Sequence, residues 1–342
     1  MSRAPFVSVI IPCRNEAAHV RRVVASLLRS AHPKELLEAT FVDGMSVDGT
    51  REILAEAARL HPFIRVLDNP KLTAPAALNI GIRASRGEII VRMDAHSKFP
   101  SDYIPRCVAL LRDTGAGCAG GSVVTVPNGR QPWARAVAVV TRHRFGVGNS
   151  AFRTGGPPGY ADTVPCGTFP RRVFDDIGLF DERLTRNQDN ELTARLRSRG
   201  YKIAFDPNIR LRYWNQPSLK GLTRQGFYTG MWNAYTVVLH PYTVKARHFI
   251  PGAFVLYLAL LAAVLASGAG VSLIAPAAFP LALYAGLVVA VSAAAGPAGG
   301  GRLRVAATVV SYHLSYGAGT HLGVVNLLTG RWRRQLGRPL RP

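Results

Sequence analysis

The chain has 342 residues, a formal net charge of +22 and a hydrophobic content of 48%, a size that suits two domains or one large domain with additional sequence. The positive charge allows nucleic acid, an anionic membrane surface or phosphorylated ligands as partners. No arginine-rich, aromatic-interleaved RNA-binding motif is present, so we expect no nucleic-acid partner. The four cysteines are dispersed without a C-x-x-C pair, which argues against a zinc site and a disulfide framework.

The N-terminal half alternates between strand and helix patterns. A β-branched run stopped by a proline predicts a buried strand at 6–12, and the apolar positions of 16–30 fall on one helical face. Further strands are predicted at 38–44, 63–69 and 88–96, with a helix before each of the last two. This alternation is typical of an open parallel sheet with helices on both faces, so we predict an α/β fold.

Polar residues follow three of these predicted strands. They are the cluster Cys13, Arg14, Asn15 and Glu16, then Asp43, and then Asp94 with His96. In open α/β sheets ligands bind beyond the carboxyl ends of the strands, so the three groups are expected to face one site. Residues two apart on a strand point to the same side, so Asp94 and His96 can converge on one ligand such as a metal. The alternative is two solvated polar residues at a strand end.

The following hundred residues give a more mixed pattern. A strand is predicted in GAGCAGGSVVTVP, and the Gly-rich stretch RHRFGVGNSAFRTGGPPG predicts a loop that lines the cleft. A strand and a short helix are predicted in DTVPCGTFPRRVFDDIGLFDERL. They are followed by a helix in NQDNELTARLRSRG, which Gly200 ends, and by a final strand in YKIAFDP.

The C-terminal part has the composition of a membrane region. No Asp, Glu, Lys or Arg occurs in the 53 residues of 249–301 or in the 26 residues of 305–330. About 20 apolar residues cross a bilayer, so spans are predicted at 249–267 and 271–295. Arginines crowd the sequence after residue 330, and positive charge collects on the cytoplasmic side. We therefore predict an in-plane or re-entrant helix at 305–330, with a third span as the alternative.

These patterns divide the chain into four parts. We predict a cytoplasmic domain at 1–215, an amphipathic interfacial segment at 216–248, a membrane region with two or three helices at 249–330 and a basic tail at 331–342. The apolar run near the start is too short for the core of a secretory signal, so the first domain is expected to lie in the cytoplasm.

Five stretches, in order, resemble the inverting family-2 glycosyltransferases. They are VSVIIPCRNE, VDGMSVDGT, MDAH, GTFPRRVFDDIGLFDE and NQDNELTARLRSRGYKI, and together they cover roughly residues 6–206. The resemblance implies the GT-A fold, in which a nucleotide-binding α/β sheet is joined to an acceptor-binding half. MDAH takes the place of the family's D-x-D motif.

The chain is most similar to the membrane-anchored bacterial exopolysaccharide glycosyltransferases of the succinoglycan type, through MDAHS, FGVGNSAFR, NQDNEL and RQGFYTGMW. The D-A-H of that subgroup implies that His96 substitutes for the second aspartate. Gly44 and Gln188 depart from many relatives, which have aspartate and glutamate there. The subgroup implies a bacterial-type inner membrane, with the catalytic domain in the cytoplasm.

The resemblance implies which residues hold the nucleotide-sugar donor, for which a UDP-sugar is favoured. They are Pro12, Arg14, Glu16, Asp43, Asn79 and Asp94. Asp43 would accept a hydrogen bond from a base N–H, with a turn-capping role as the alternative. Asp94 and His96 would hold a divalent cation, Mn²⁺ or Mg²⁺, that bridges the diphosphate, and the imidazole favours Mn²⁺. His96 could instead act through a water or donate a hydrogen bond to a phosphate.

Displacement at the anomeric carbon needs a base on the acceptor side, and Asp189 is predicted to be that base because it starts a helix among polar neighbours. The alternative is an ordinary aspartate at a helix N-terminus. The acceptor-binding residues implied by the resemblance are Gly167, Thr168, Gln188, Arg224, Gln225 and Trp232. The last three belong to the amphipathic stretch 224–235, which is equally typical of an aromatic interfacial anchor.

The sequence thus predicts a metal-dependent inverting glycosyltransferase that moves a sugar from a nucleotide-sugar donor to a lipid-linked saccharide in polysaccharide or glycolipid biosynthesis. One alternative is a polyprenyl-phosphate sugar synthase, whose acceptor is the lipid monophosphate itself. Another is a catalytically inactive membrane scaffold or nucleotide-sugar sensor. Metal-dependent hydrolysis of a nucleotide sugar separates the inactive protein from the enzymes, and acceptor length separates the two enzymes.

Overall fold

The computed structural model describes residues 4–268, 270–296 and 299–339. The chain divides into two compact units. The first unit holds the chain up to residue 124, residues 150–213 and the segment from 335, and the second holds residues 125–149 and 214–334. The predicted boundary at 215 thus lies beside the last sheet residue of the first unit, whereas the segment 125–149 groups with the second unit.

A nine-stranded mixed sheet organises the first unit. Its strands are β1 Val7–Cys13, β2 Leu37–Asp43, β3 Ile64–Asp68, β4 Ile89–Arg92, β5 Ser97–Lys98, β6 Cys118–Val126, β7 Gly159–Tyr160, β8 Thr168–Pro170 and β9 Ile203–Trp214. The strand order is β3-β2-β1-β4-β8-β6-β9-β5, and β7 pairs with β9. The first four strands are parallel, whereas β8 runs antiparallel to β4 and β6, and β9 runs antiparallel to β5 and β7. The parallel half is the predicted α/β sheet.

Thirteen α-helices are described, and most fall at or near the predicted positions, although no helix was predicted at 103–114 or at 132–140. They are α1 Val20–Leu28, α2 Thr50–Leu60, α3 Ala74–Ala84, α4 Tyr103–Thr114, α5 Pro132–Val140, α6 Arg144–Val147, α7 Ala151–Thr154, α8 Arg171–Ile177, α9 Gln188–Ser198, α10 Leu219–Leu239, α11 Ile250–Ala266, α12 Val271–Ala295 and α13 Arg302–Leu328. The stretch predicted as a cleft loop contains the short helices α6 and α7, and the final predicted strand extends further, to Trp214.

Side chains of β1 alternate between two hydrophobic cores, one on each face of the sheet. Val9 and Ile11 pack in a core with Val23 of α1, and Ile10 packs in another core with Leu78 of α3. All five side chains are at most 1% exposed. Complete burial of one such side chain stabilises a fold by about 1.5–3 kcal/mol, so both faces need a helical cover. The prediction of helices on both faces is confirmed.

Helices α10 and α13 pack closely in the second unit, because glycines lie where they meet. A Cβ at Gly319 would come within 1.9 Å of the Phe227 carbonyl oxygen, and a Cβ at Gly230 within 2.0 Å of the Tyr316 carbonyl oxygen. The buried Asn326 amide donates to Tyr235 Oη at 2.8 Å across the same pair of helices. The interface therefore combines close backbone approach with a buried polar contact.

Two helical stretches, Ala246–Ala266 and Val271–Ala295, are long and apolar enough to cross a membrane by length and composition. They match the predicted spans. Pro276 and Pro280 interrupt the backbone hydrogen bonds of α12, because proline lacks an N–H donor. Tyr257 of α11 fits at this point, since its hydroxyl donates to the Ala277 carbonyl at 2.8 Å and accepts from the Leu281 N–H at 3.1 Å. It thereby satisfies two backbone groups that would otherwise pair along the helix.

Candidate active site

The turns after β1 and β2 are joined by hydrogen bonds beyond the carboxyl ends of the strands. Cys13 and Asp43 are in register at these ends. The Asn15 N–H donates to Ser46 Oγ at 2.8 Å, and the Val47 N–H donates to Asn15 Oδ1 at 3.0 Å. The polar cluster after β1 therefore lies beside Asp43, as expected for strand ends that share one sheet edge.

Asp43 is fully buried, and its carboxylate is held by groups of its own turn. It accepts from the Ser46 N–H at 3.0 Å and from Arg51 Nη1 at 2.7 Å, and Arg51 also pairs with Asp68 at 2.8 Å. These contacts are those of a turn-closing carboxylate, the alternative considered for this residue. A direct hydrogen bond from Asp43 to a nucleotide base stays a prediction.

Asp94 and Asp189 share one guanidinium. Arg92, the last residue of β4, donates from Nη2 to Asp94 Oδ1 at 2.6 Å and lies with Nη1 2.9 Å from Asp189 Oδ2. Its side chain is 13% exposed, while those of Asp94 and Asp189 are 19% and 34% exposed. The structure thus brings together the predicted donor-side carboxylate and the predicted base, which are far apart in the sequence.

The two carboxyl groups differ in the direction of their pKa shifts. Burial alone would raise the pKa of Asp94, but Arg92 and then His96 outweigh burial and hold this pKa below its ordinary value. Burial raises the pKa of Asp189, Arg92 opposes the rise, and the nearby Asp94 adds to it. Asp189 is therefore the more basic carboxylate of the pair, which suits a proton acceptor.

His96 is oriented by a carboxylate and a phenol ring. Its Nδ1 lies 3.0 Å from Glu16 Oε1, and its ring packs edge-on against Tyr213 with a centroid separation of 4.9 Å. Burial alone would lower the pKa of His96, but Tyr213, Glu16 and Asp94 raise it to about 10. With Nδ1 bonded to Glu16, the other ring nitrogen, Nε2, is the one available to a ligand.

The donor set fits a cation whose remaining ligands come from the substrate. Within the described residues, no three or more His, Cys, Asp or Glu side chains are grouped as metal ligands. Asp94 offers a carboxylate. The raised pKa of His96 keeps its ring protonated at neutral pH, so His96 would offer an imidazole nitrogen only after losing a proton to solvent as the metal binds. The Glu16 contact is the kind that orients metal-binding histidines. Mg²⁺ and related ions commonly bind through one or two protein groups together with phosphate oxygens and water.

Three further residues predicted to bind the donor have clear local contacts. Asn79 is buried on α3, where its amide bonds the backbone of Phe180 in both directions and Glu182 Oε1 at 3.0 Å, which leaves it little capacity for a ligand. Pro12 sits in β1. The exposed Arg14 packs over Gly44, and a Cβ added to Gly44 would lie only 3.1 Å from Arg14 Cβ. Donor binding by Pro12, Arg14 and Asn79 stays a prediction.

The residues predicted to bind the acceptor fall into both units. In the first unit, Gly167 and Thr168 are buried before and within β8, and Gln188 is half-buried at the start of α9. In α10 of the second unit, Arg224 is exposed, Gln225 is half-buried and Trp232 is fully buried. The side chains of Thr168 and Trp232 do not face solvent in this structure, and all six assignments stay predictions.

Left-handed backbone at non-glycine residues is concentrated beside the candidate site residues. Four of the five non-glycine residues described with positive φ are Asn15, Met45, Cys166 and Asn187, which adjoin Glu16, Gly44, Gly167 and Gln188. Such backbone costs about 1–3 kcal/mol where the side chain disfavours it, and it clusters at functional sites. The turns around the site are therefore held in conformations that the rest of the fold must support.

Sequence reasoning missed four residues around the site. Arg92 lies inside the apolar run of β4, Cys166 donates from Sγ to Asp94 Oδ2 at 3.7 Å, and Tyr213 packs on His96. Arg153 lies with its guanidinium carbon 5.9 Å from the centre of the Tyr213 ring and helps to keep the pKa of Asp94 low. The sequence offered one signal for these residues: Arg92 directly follows an apolar run in a predicted buried strand, and a buried charge needs a partner of opposite charge.

Comparisons with known proteins agree with this geometry. The family model described as Glycosyl transferase family 2 matches residues 8–178. The chain is 31% identical over 245 residues to the succinoglycan biosynthesis protein ExoA of Rhizobium meliloti, an alignment that covers 71% of this chain and 73% of that protein. It is 30% identical over 211 residues to the glycosyltransferase AglE of Haloferax volcanii, covering 61% of this chain and 66% of that protein.

A third relative and one solved structure extend the comparison. The chain is 25% identical over 228 residues to a Methanococcus voltae enzyme named as a dolichyl N-acetyl-alpha-D-glucosaminyl phosphate 3-beta-D-2,3-diacetamido-2,3-dideoxy-beta-D-glucuronosyltransferase, covering 64% of this chain and 70% of that protein. The mannosyltransferase PcManGT of Pyrobaculum calidifontis, solved with GDP-Man and Mn²⁺, has the same fold. It superposes with a TM-score of 0.62 at 22% identity, covering 92% of this chain and 88% of that one.

Proposed function

Because the chain belongs to glycosyl transferase family 2, whose enzymes transfer a sugar from a nucleotide donor, we propose that it inverts the donor's anomeric carbon and extends a lipid-linked saccharide. The observation that carries the proposal is the pair of carboxylates at Arg92, in which Asp94 is the more acidic and Asp189 the more basic. Opposite pKa shifts in neighbouring carboxyl groups indicate different chemical roles.

Asp189 is the proposed general base. It takes the proton of the acceptor hydroxyl as that oxygen bonds to the anomeric carbon and the nucleoside diphosphate leaves from the opposite side. Its position in the first turn of α9 favours the ionised form through the helix dipole, while burial keeps it more basic than an exposed aspartate. No covalent intermediate is needed, since one displacement inverts the centre.

The donor diphosphate is proposed to bind at Asp94 and His96. A divalent cation held there, Mn²⁺ or Mg²⁺, would neutralise charge that develops on the leaving diphosphate. Tyr213 and Glu16 hold the His96 ring in place, and Arg153 adds positive charge near Asp94. We favour a UDP-sugar as the donor.

A lipid-linked acceptor is supported by the chemistry of a relative and by the C-terminal helices. The name of the Methanococcus voltae relative describes transfer onto a dolichyl-linked sugar phosphate. The two candidate spans support attachment of this chain to a membrane, where such an acceptor resides. Gly167, Thr168, Gln188, Arg224, Gln225 and Trp232 remain the proposed acceptor region.

The topology is proposed to be two crossings with both ends of the chain in the cytoplasm. The Gly337 N–H donates to the Arg183 carbonyl at 3.0 Å, and Thr185 Oγ1 donates to the Arg338 carbonyl at 2.8 Å. These bonds support a tail that lies on the same side of the membrane as the catalytic unit, which an even number of crossings would require. With α11 and α12 as the two spans, α13 makes none, which favours the in-plane or re-entrant reading of 305–330.

The test uses the full chain reconstituted in lipid with a panel of nucleotide sugars, read out by nucleoside-diphosphate release. Asp189→Asn keeps the size of the side chain but removes the basic oxygen, so transfer should fall by about 10²-fold or more while nucleotide binding is retained. Asp175→Asn, at an exposed position of α8, is the matched control and should transfer at the parental rate.

Three results would contradict parts of the proposal. Parental transfer by a folded Asp189→Asn variant removes the base assignment. An α-linked product from an α-linked donor removes the inverting mechanism. Loading of bare polyprenyl phosphate in preference to a lipid-linked saccharide replaces the proposed acceptor by that of a polyprenyl-phosphate sugar synthase.

A further inference from the structure

Among the residues that the structure describes, Arg92 is the one that forms ion pairs with both carboxylates of the proposed mechanism. We propose that Arg92 is a positioning residue that holds Asp94 and Asp189 in place before the donor arrives, and that it competes with the divalent cation for Asp94. The inference rests on the proposed function, in which Asp94 binds the cation and Asp189 receives the proton. Arg92 itself neither binds the cation nor accepts the proton.

The bonds of Arg92 differ from those of other partly buried arginines in the same unit. Arg171 bonds the Gly87 carbonyl at 2.6 Å. Arg195 bonds the Leu179 carbonyl at 2.8 Å and pairs with Glu191 of its own helix at 2.8 Å, so both arginines tie local segments of the fold together. Arg92 bonds two site carboxylates, and its buried Nε has no partner among the described residues. The Nε of Arg197 is likewise buried without a hydrogen-bond partner, so it is the contact with two site carboxylates that sets Arg92 apart.

The geometry of a guanidinium explains why arginine suits this position. Its two terminal nitrogens are fixed in one plane, so Nη2 can hold Asp94 while Nη1 holds Asp189. A lysine ammonium is a single charged group on a flexible stem and cannot fix the spacing of two carboxylates in the same way. Without a positively charged side chain between them, the carboxylates of Asp94 and Asp189 would repel each other in this poorly hydrated site.

Competition with a cation follows from how the oxygens of Asp94 are used. Oδ1 accepts from Arg92 at 2.6 Å, while Oδ2 faces the Cys166 thiol at 3.7 Å. A metal ion that binds through Oδ1 must therefore weaken or share a charge-assisted hydrogen bond. The positive charges of the guanidinium and the metal ion also repel each other. Arg92 therefore lowers the affinity of Asp94 for a free cation, and the phosphate oxygens of the donor are needed to make binding favourable.

The experiment measures Mn²⁺ binding to the full-length protein without nucleotide, from the electron paramagnetic resonance signal of free Mn²⁺. Arg92→Met removes the charge and keeps a side chain of similar length, and should bind Mn²⁺ about 10-fold more tightly than the parent. Arg65→Met removes a strand arginine whose Nε bonds Thr40, and should leave the affinity unchanged. Arg92→Met/Asp94→Asn should lose the gain, which locates it at Asp94.

Arg92→Met leaves Asp189 without its counter-charge and can destabilise the fold. The double variant Arg92→Met/Asp189→Asn avoids this loss, because it leaves no unpaired carboxylate at position 189. Its reference is the single variant Asp189→Asn, and the double variant should bind Mn²⁺ about 10-fold more tightly than that reference. Equal or weaker affinity in the folded variants overturns the competition. Failure of both Arg92 variants to fold would make Arg92 a residue of fold stability and would also end the proposal.

Kinetics provide the second readout. With saturating Mn²⁺ and donor, Arg92→Met should lower kcat by about 10²-fold, because Asp189 loses its orienting partner, and should leave KM for the nucleotide sugar nearly unchanged. Arg92→Lys should recover part of kcat. An Arg92→Met variant with parental kcat would show that Asp189 needs no positioning by Arg92.

Control variants separate this inference from the proposed function. If Asp189→Asn transfers normally, or if Asp94→Asn leaves Mn²⁺ binding unchanged, the mechanism itself has failed. If both controls behave as proposed while Arg92→Met leaves both Mn²⁺ affinity and kcat at parental values, the Arg92 inference fails alone.

Discussion

At the scale of single residues, one guanidinium pairs with two carboxylates whose pKa values are shifted in opposite directions. Arg92 outweighs burial at Asp94, whose pKa falls, but it does not outweigh burial and the charge of Asp94 at Asp189, whose pKa rises. A base is effective only when ionised, and its proton affinity rises with its pKa. The two opposite shifts therefore give one site both a strongly ionised ligand and a moderately basic proton acceptor.

The pH dependence of transfer should reflect the raised pKa of Asp189. The base is active when deprotonated, so transfer is lost as the pH falls through this pKa. We expect the acid limb of kcat to lie at higher pH than the ordinary range of an aspartate. Arg92→Met should move that limb to still higher pH, because Arg92 opposes the rise. A kcat profile taken across the acid range checks both statements, and an unmoved limb in the variant would contradict the second.

His96→Asp should retain part of the activity and shift metal preference from Mn²⁺ toward Mg²⁺, because a carboxylate oxygen suits Mg²⁺ better than an imidazole does. The measurement is the ratio of kcat/KM with the two metals. His61→Asp makes the same change at the end of α2 and is the control. Identical ratios in His96→Asp and the parent would mean that His96 does not bind the metal directly.

At the scale of elements, glycines decide how closely two helices of the second unit approach. At Gly319 a Cβ would meet the Phe227 carbonyl carbon at 2.7 Å and its oxygen at 1.9 Å. The obstacle is backbone, so α10 and α13 would have to move apart as whole elements. By contrast, a Cβ at Gly286 of α12 has nothing within 4 Å.

Gly319→Ala should therefore destabilise the protein, and Gly286→Ala should not. Overpacking at a close contact costs about 1–3 kcal/mol, which corresponds to a fall of about 5 °C in Tm for a protein of this size. Alanine at Gly286 gains helix propensity of about 1 kcal/mol relative to glycine. Circular dichroism melts of the two variants in detergent test this, and equal Tm values would mean that the α10–α13 contact adjusts without cost.

At the scale of the whole molecule, membrane topology depends on which apolar helices cross. The four cysteines are buried, so a single introduced cysteine can report exposure to a membrane-impermeant maleimide. Ser267→Cys lies after α11, and Thr329→Cys lies after α13, both at exposed positions. With two crossings, Ser267→Cys should label in intact cells and Thr329→Cys only after permeabilisation. Labelling of both in intact cells would establish three crossings.

Local properties of the sequence determined a large part of this architecture. The four parallel strands, the helices between them and the two apolar spans follow from periodicity and from the absence of charge, which depend on neighbouring residues alone. The order of short motifs was sufficient for the family, and family membership and the α/β fold are both confirmed. The sequence also pointed to Asp94, His96 and Asp189 as residues for chemistry, although their roles stay predictions.

Only the tertiary structure decided which polar residues meet. Arg92 reads as part of an apolar strand, and its role depends on α9 coming to lie beside the end of β4, a contact between distant segments that periodicity does not encode. The same holds for Asp43 and Asn79, whose polar atoms are taken up by contacts within the fold. Burial and ion pairing depend on every segment that packs around a group, so the direction of each pKa shift could be read only from the folded chain.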